Sequence, residues 1–491
     1  MPKSRLKIEG LQLSDIESLQ ATKTEVSVGI VNGVKAPRFI QEEVSPSIRQ
    51  TDSLQTDEVV YGTQVKWVLS RKIYIWAKAY GESGDDTGMA VAIADNGDII
   101  VAGYTNSFGA GDYDFLVLRL DESGDIKWQK AYGGSDRDLG YAVAIAGNGD
   151  IIVAGQTSSF GAGGDDFWIL RLDSNGNIKW QKAYGGSSND RVEAVAIAEN
   201  GDIIIAGRTY SFGAGNYDFW VLRLDENGNI KWQKAYGGSS YENLHAVTVA
   251  PNGDIVVVGR AESFGAGGDD FWVLRLDENG NIKWQKAYGG SSTDIAEAVA
   301  IADNGDIIVA GWTNSFGAGD YDVWVLRLDE NGNVKWQKAY GGSDSDGAID
   351  VTIAENGDII VAGWTYSFGV EGTDDIWILR LDENGNIKWQ KAYGGNNSDG
   401  AEAVVVTENG DIIVAGWTNS FGVGDYDLLV LKLDENGNVP TSVLTVTDTN
   451  CTVTDTNCTV TDTNCIVTDT DCTVTDTNCI ITETDCVVTE L

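Results

Sequence analysis

Histidine, proline and methionine are scarce in this chain, and cysteine is absent until residue 451. The single histidine, His245, argues against imidazole metal sites and Ser-His-Asp catalysis. Basic residues are also few. The chain has 34 Lys and Arg but 74 Asp and Glu, which gives a formal net charge of −40. The charge argues against a nucleic-acid partner, since no basic stripe is present, and self-repulsion predicts a monomer.

Long hydrophobic runs are missing as well. No apolar run reaches the roughly 18 residues of a membrane span, and the opening segment MPKSRLKIEGLQLSDIESLQ has no apolar signal region. The sequence therefore predicts no membrane span and a cytoplasmic location, with the cell surface or export by a non-classical route as the alternative. No cofactor motif is found, and no cofactor is predicted.

The chain does contain a long internal repeat. Tryptophan recurs with a period of 52 residues that lengthens once to 53, at Trp76, Trp128, Trp180, Trp232, Trp284, Trp336 and Trp389. Each unit holds four short runs of alternating or β-branched residues, exemplified by AVAIA, DIIVAGWT, DFWVLRLD and NIKWQKAYG. The motifs NGD and ENGN supply the Asn-Gly pairs that tight hairpins favour. The sequence predicts an all-β fold, a seven-bladed β-propeller of four-stranded antiparallel blades.

The ends of the array predict how the ring closes. The seventh unit lacks its fourth strand after Val439, whereas a lone fourth strand, KIYIWAKAYG, occupies residues 72–81. We expect this N-terminal strand to complete the last blade, giving a propeller over residues 72–439. The third-strand tryptophans then pack blade against blade, and Leu116 and Leu429 replace them at the seam.

The two flanks have no such pattern. Residues 1–71 are interpreted as a leader or linker with a short helix that begins at the capping box Ser14–Glu17. Residues 440–491 form an acidic tail rich in Cys, Thr and Asp, for which we expect disorder.

The repeated motifs GGS, AVAIA, NGDIIVAG, SFGAG and DENGNIKW resemble bacterial and archaeal β-propeller repeats of cell-surface and exported proteins, including the SBBP repeats. The resemblance covers residues 72–439. It implies the propeller fold, whereas it implies little about function, because propellers serve as enzymes and as scaffolds.

One variable position identifies candidate ligand-binding residues. The residue after VAG (VVG in the fourth unit) lies near the face that carries the longer loops, and it differs between units. Aromatic residues would line one side of the ring and arginines another, which suits a protein, peptide or glycan ligand. Neutral drift is the alternative. The candidates are Tyr104, Gln156, Arg208, Arg260, Trp312, Trp364 and Trp417.

The tail has its own period of seven residues, with an acidic residue four positions after each cysteine. The pairs are Cys451 and Asp455, Cys458 and Asp462, Cys465 and Asp469, Cys472 and Asp476, Cys479 and Glu483, and Cys486 and Glu490. The spacing resembles the core of ranthipeptide precursors, which implies thioether modification by a partner radical S-adenosylmethionine enzyme. An expanded tail with free or metal-binding cysteines is the alternative.

The sequence thus favours a non-enzymatic binding scaffold of unknown ligand. A precursor or carrier whose tail is cross-linked is the second hypothesis, and a glycoside-processing enzyme is the third. No catalytic residue is predicted, because the aspartates that begin each third strand are too regular to mark one centre. No metal site is predicted either, although calcium at the Asp-rich turns is left open.

Overall fold

A computed structural model describes residues 26–31, 34–39, 74–440, 444–462, 465–469, 473–476, 480–483 and 487–490. The chain divides into two units, residues 1–73 and residues 74–491. In the first unit, Val26–Val31 pairs antiparallel with Val34–Phe39. The described part of the leader thus contains a pair of antiparallel strands, which the sequence analysis did not predict. The predicted helix at Ser14–Glu17 lies outside the described residues.

The second unit is the predicted propeller, with seven antiparallel sheets. We number the blades in chain order, and the strands of each blade from first to fourth. The strands of blades 1 to 3 are Asp86–Ile93, Ile99–Thr105, Asp114–Leu120 and Ile126–Gly133; Asp138–Ile145, Ile151–Thr157, Asp166–Leu172 and Ile178–Gly185; and Asp190–Ile197, Ile203–Thr209, Asp218–Leu224 and Ile230–Gly237.

The remaining blades have the same order of strands. Those of blades 4 to 7 are Glu242–Val249, Ile255–Ala261, Asp270–Leu276 and Ile282–Gly289; Asp294–Ile301, Ile307–Thr313, Asp322–Leu328 and Val334–Gly341; Asp346–Ile353, Ile359–Thr365, Asp375–Leu381 and Ile387–Gly394; and Asp399–Val406, Ile412–Thr418, Asp427–Leu433 and Trp76–Gly81.

Closure by the N-terminal strand is confirmed. The fourth strand of blade 7 is Trp76–Gly81, and it pairs antiparallel with the third strand Asp427–Leu433, with Tyr80 opposite Leu428. The pairing joins residues more than 340 positions apart in the sequence and leaves no blade incomplete. The ring therefore has no open edge between its first and last units.

The repeated aromatic residues pack between blades, as predicted. Trp168 is fully buried, and its ring centroid lies 4.6 Å from that of Phe115 in the preceding blade. The fourth-strand Tyr184 is also fully buried and donates a hydrogen bond of 2.7 Å to the carbonyl of Gly228 in the following blade. The seven apolar cores lie between adjacent blades, so each blade depends on its neighbours.

The C-terminal segment is also ordered into strands, which corrects the expectation of a disordered tail. It contributes a fifth, outermost strand to each of the seven sheets. The physical reason is that every fourth strand presents an unpaired outer edge, which a Thr- and Val-rich segment can pair. We call these strands the belt. Starting on blade 6 and passing through blades 5, 4, 3, 2 and 1 to blade 7, they are Thr445–Asp448, Thr452–Asp455, Thr459–Asp462, Ile466–Asp469, Thr473–Asp476, Ile480–Glu483 and Val487–Glu490.

The belt passes round the ring in the direction opposite to the chain order of the blades. It makes one full turn and ends on blade 7, where Val487–Glu490 pairs with the N-terminal strand Trp76–Gly81. Blade 7 is thus assembled from three separate parts of the chain. Within the described residues, no helix has the length and apolar character needed to cross a membrane.

Candidate functional site

The residues that recur in every blade are engaged in holding the blade or its neighbour. In blade 4, Asp254 accepts bonds from Arg275 Nε at 2.8 Å and Lys283 Nζ at 2.7 Å. The same Arg275 donates through Nη1 to the carbonyl of Glu330 in blade 5, at 2.8 Å. Because recurrent charges already have such partners, they are poor candidates for ligand binding.

The aspartate that begins each third strand has a structural role. In blade 3, Asp218 Oδ2 accepts the backbone N–H groups of Ala214 and Gly215, at 2.8 and 3.2 Å, and thereby fixes the SFGAG loop. Burial raises the pKa of Asp218 to about 6, although these two hydrogen bonds by themselves would lower it. This aspartate therefore stabilises the loop of its own blade.

The Asp-rich turns also use their own carboxylates. Asp225 Oδ1 accepts the N–H groups of Asn227 and Asn229, both at 2.8 Å, and Oδ2 accepts the side-chain amide of Asn229 at 2.9 Å. In the part of the chain that the structure describes, no group of three or more His, Cys, Asp or Glu side chains is arranged to hold a metal ion.

The seven predicted binding residues lie at matching positions, one residue from the end of each second strand. Gln156 is fully buried, whereas the other six are half-buried, so the tryptophans are less exposed than the stacking hypothesis assumed. The reason is that each packs against side chains of its own blade. The indole of Trp364, for example, lies at an edge-on angle to Tyr366, with ring centroids 6.0 Å apart.

The two predicted arginines have carboxylate partners within the protein. Arg208 Nη2 lies 3.3 Å from Glu193 Oε1, and Arg260 Nη1 lies 2.7 Å from Asp269 Oδ2. A ligand carboxylate would have to displace these partners. The geometry therefore gives the arginines a supporting role in the wall of the ring.

Sequence reasoning missed a second variable position, in the first strands. Every first strand carries a β-bulge, and the extra residue lines the central channel. A bulge redirects the side chain that it displaces. The signal in the sequence is the residue before the AVAIA motif, which varies and includes the only histidine. These residues are Met89, Tyr141, Glu193, His245, Glu297, Ile349 and Glu402.

The two variable positions contact each other inside the ring. Glu297 Oε2 lies 2.5 Å from His245 Nδ1, and Glu297 Oε1 accepts the indole N–H of Trp312 at 3.2 Å. In blade 7, Glu402 accepts the indole N–H of Trp417 at 2.9 Å. The residues that differ between blades thus form pairs that link the channel to the second strands.

Two of the channel carboxylates, Glu402 and Asp350, have raised pKa values. Burial raises the pKa of Glu402 to about 7, despite the hydrogen bond from Trp417, and raises the pKa of Asp350 to about 7. Burial alone would lower the pKa of His245, but the nearby Glu297 carboxylate outweighs it and raises that pKa above its ordinary value. The channel has a volume of about 310 Å³.

A second cavity, which we call the seam pocket, opens where blades 7, 1 and 2 meet. Its volume is about 450 Å³, and it shares Met89 and Glu402 with the channel. Of the seven predicted binding residues it brings together two, Tyr104 and Trp417. The pocket is lined by Asp85, Thr87, Met89, Tyr104, Tyr113, Arg137, Leu139, Glu402, Trp417 and Tyr426.

Local sequence explains how the aromatic wall is built. Trp417 lies opposite Gly400 in the first strand of blade 7, and a Cβ at Gly400 would come within 2.6 Å of the indole Cε2. The missing side chain therefore leaves room for the indole. Tyr426 and Tyr113 stand edge-on to Trp417 and Tyr104, with centroids 5.3 and 5.6 Å apart. The Tyr113 hydroxyl donates to Asp85 at 2.9 Å.

The predicted modification residues lie in the belt. Each acidic residue ends a belt strand, whereas the three described cysteines lie between two strands. Cys458 and Cys465 are buried and Cys451 is half-buried, and all three are free thiols; Cys472, Cys479 and Cys486 lie outside the described residues. The described part of the tail is therefore ordered, and thioether modification of its cysteines stays a prediction.

Comparison with known proteins agrees with the propeller fold. Residues 95–126, 146–178 and 199–230 match the family model described as a β-propeller domain of unknown function (DUF5122). Together with the seven blades, this match identifies the chain as a β-propeller repeat protein.

Individual relatives are distant. The regulatory protein FlaEY of Caulobacter vibrioides is 23% identical over 341 residues, covering 60% of this chain and 34% of that protein. An F-box/kelch-repeat protein of Arabidopsis thaliana is 21% identical over 276 residues, covering 50% of this chain and 58% of that protein. The chain thus spans less than two thirds of either relative. The Pan2 WD40 domain of Neurospora crassa has a TM-score of 0.43 and 11% identity, covering 73% of this chain and 92% of that domain.

Proposed function

We propose that this propeller is a non-enzymatic binding scaffold that holds a carbohydrate segment in the seam pocket. The observation that carries the proposal is the composition of the pocket wall. Four aromatic side chains surround a cavity of about 450 Å³ that also presents Asp85, Glu402 and Arg137. Aromatic faces pack on the apolar faces of sugar rings, while charged side chains accept or donate hydrogen bonds to hydroxyl groups.

The position of the pocket supports this assignment. It lies at the seam, where the third-strand tryptophans give way to Leu116 and Leu429 and two variable aromatic residues face one cavity. Ligand pockets favour such concave sites with a few polar groups among apolar ones. Two carboxylates against one arginine disfavour an anionic ligand.

A binding role is favoured over catalysis because the channel carboxylates are engaged by neighbours. Glu193 is paired with Arg208, Glu297 with His245, and Glu402 with the indole of Trp417. A general acid or base would need to reach the substrate from these positions. The proposed ligand is therefore held and released unchanged.

A glycan array and a peptide array, probed with the full chain, test the proposal. We expect binding to neutral glycans, and a loss of at least tenfold in affinity for Trp417→Ala, because the variant removes a stacking surface together with the hydrogen bond that holds Glu402. The matched control is Trp364→Ala, which removes the same residue type at the same repeat position outside the pocket.

Equal losses in the two variants would refute the assignment to the seam pocket. Binding confined to basic peptides would replace the carbohydrate with a peptide ligand. Turnover of a bound glycan, seen as shortened products by mass spectrometry, would contradict the non-enzymatic role.

A further inference from the structure

We infer that the outer rim of the propeller is a sequence-specific binding surface for the heptad Thr-Val-Thr-Asp-Thr-Asn-Cys. Its occupant is the chain's own C-terminal segment, which acts as a strap that closes the ring from outside. The inference rests on three features of the rim: a fixed register, a recognised linker, and a seat for the cysteine.

The register of the belt is the same on all seven blades. Each belt strand pairs antiparallel with the fourth strand, and its acidic residue lies opposite the lysine of the WQKAYG motif or its N-terminal equivalent. A slip of one residue would turn every side chain of a belt strand to the opposite face, so one register on all seven blades indicates that the side chains fix it. The facing pairs are Lys391 and Asp448, Lys338 and Asp455, Lys286 and Asp462, Lys234 and Asp469, Lys182 and Asp476, Lys130 and Glu483, and Lys78 and Glu490.

On blades 5 and 6, where the structure describes the linker that follows the belt strand, a tryptophan and a glutamine of the blade bind it. On blade 5, the Trp324 indole donates to Thr456 Oγ1 at 3.0 Å, and Gln337 Oε1 accepts the Thr456 hydroxyl at 3.0 Å and the Cys458 N–H at 3.1 Å. Blade 6 repeats the pattern, since the Trp377 indole donates to Thr449 Oγ1 at 3.0 Å.

The cysteine fills a gap between neighbouring blades. Cys458 packs into the apolar core that blades 4 and 5 share, together with Tyr288 and Trp324. Cys465 occupies the equivalent core of blades 3 and 4, and Cys451 packs against that of blades 5 and 6. At these three steps from blade to blade, one small apolar side chain thus completes the core.

Blade 7 supplies a natural exception that agrees with this recognition. There the heptad position of the threonine is taken by Leu491, which has no hydroxyl to accept or donate a hydrogen bond. The two rim residues that would contact the threonine change as well, because Leu429 stands in place of the tryptophan and Ala77 in place of the glutamine. Blade 1 is intermediate, with Leu116 but Gln129.

A cysteine that is buried between two blades reacts slowly. Burial raises the pKa of Cys451 to about 12 and that of Cys458 to about 11, so the reactive thiolate is scarce at neutral pH. Cross-linking of cysteine to the acidic residue would require the strap to be released, because both residues are held by the ring. The period of seven is thus accounted for by the spacing of the blades.

The test is to cut the strap after the protein has folded. A specific protease site is inserted in residues 441–443 of the full chain, and the nicked protein is analysed by size-exclusion chromatography and intact mass. We expect both fragments to co-elute as one monomer-sized species and to separate only in denaturant. Immediate separation of the fragments would overturn the inference, and a dimeric full chain would assign the strap to a second copy.

A second measurement tests the specificity of the rim. In the nicked protein, release of the strap is followed by exchange with a labelled synthetic peptide of residues 445–491. Gln337→Ala combined with Gln390→Ala is expected to speed release about tenfold, because two linkers lose their acceptor. The control, Asp303→Ala with Glu355→Ala, changes exposed turn residues of the same blades. Equal rates in the two variants would refute sequence-specific recognition.

Discussion

At the scale of single residues, the molecule separates into recurrent side chains that build the ring and variable side chains that line it. Recurrent groups such as Asp254 and Arg275 are joined to each other and to the next blade. The variable groups meet in the channel, where Glu297 and Glu402 face His245, Trp312 and Trp417. Substitutions in the second set are expected to alter binding before they alter folding.

Asp350 gives a prediction for the pH dependence of stability. Burial raises its folded-state pKa to about 7, above the ordinary value of 3.8, so this group contributes stability below the unfolded pKa that is lost as the pH rises through the folded pKa. We expect Asp350→Asn to gain stability relative to wild type between about pH 4 and pH 7. Urea unfolding of both proteins across this range measures the difference.

The control for this prediction is Asp344→Asn, an exposed aspartate in the loop before the same strand. It should show no relative change over the same range. A wild-type stability that does not fall relative to Asp350→Asn with rising pH would contradict the raised pKa.

The sequence predicted two of the four aromatic side chains that line the seam pocket, Tyr104 and Trp417, and missed Tyr113 and Tyr426. Tyr104 and Trp417 stand out because their repeat position varies beside a glycine that every unit keeps. Glu402 varies in the same way, but an alternating first strand does not reveal where its extra residue is inserted. Only the bulge between Ala401 and Ala403 directs this side chain to the channel. Which side of the sheet a strand residue faces depends on the tertiary structure, so the motif alone could not show that Glu402 faces the channel.

At the scale of elements, the predicted hairpin turns are the features whose need for glycine is clearest. Gly228, in the turn between the third and fourth strands of blade 3, has a φ of +73°. A Cβ there would lie 3.0 Å from both Trp180 Cη2 and the Tyr184 hydroxyl of the preceding blade. The turn therefore serves as a contact between blades as well as a reversal of the chain.

This contact can be measured against a matched turn. Gly201 has a similar φ of +83°, yet a Cβ there would meet nothing within 4 Å. We expect Gly201→Ala to lower the free energy of unfolding by about 1 kcal/mol through backbone strain, and Gly228→Ala by about 2 kcal/mol or more through strain plus overpacking. Chemical denaturation measures both, and equal losses would remove the inter-blade role of the turn.

The belt strands are the elements that the sequence did not predict. Each is four residues long and at least half of it is polar, with three polar residues of four in Thr452–Asp455, so no segment forms a face that could fold alone. Their structure depends on the outer edge of a fourth strand from a remote part of the chain. Short polar strands with Asp at one end also make a poor template for further pairing, which limits edge-to-edge association.

At the scale of the whole molecule, closure depends on residues from both ends of the chain. Blade 7 takes its fourth strand from Trp76–Gly81 and its belt strand from Val487–Glu490. Long-range pairings of this kind slow folding, because distant segments must meet before the ring is complete. The last blade is therefore expected to be the last to form.

Paired truncations test the closure. Removal of residues 1–81 deletes the fourth strand of blade 7, whereas removal of residues 1–73 keeps it. We expect the longer truncation to unfold at a lower temperature and to associate through the exposed edge, measured by calorimetry and light scattering. Similar melting temperatures and masses for the two truncations would show that the N-terminal strand does not close the ring.

The belt also links two tandem repeats that differ in length and in position along the chain. One unit of 52 or 53 residues makes a blade, and one unit of seven residues covers it, at seven copies each. Duplication or loss of a blade would leave a bare edge or a surplus heptad, unless the second array changed in the same step. The number of heptads must therefore equal the number of blades, because each blade offers one outer edge for one heptad to pair with.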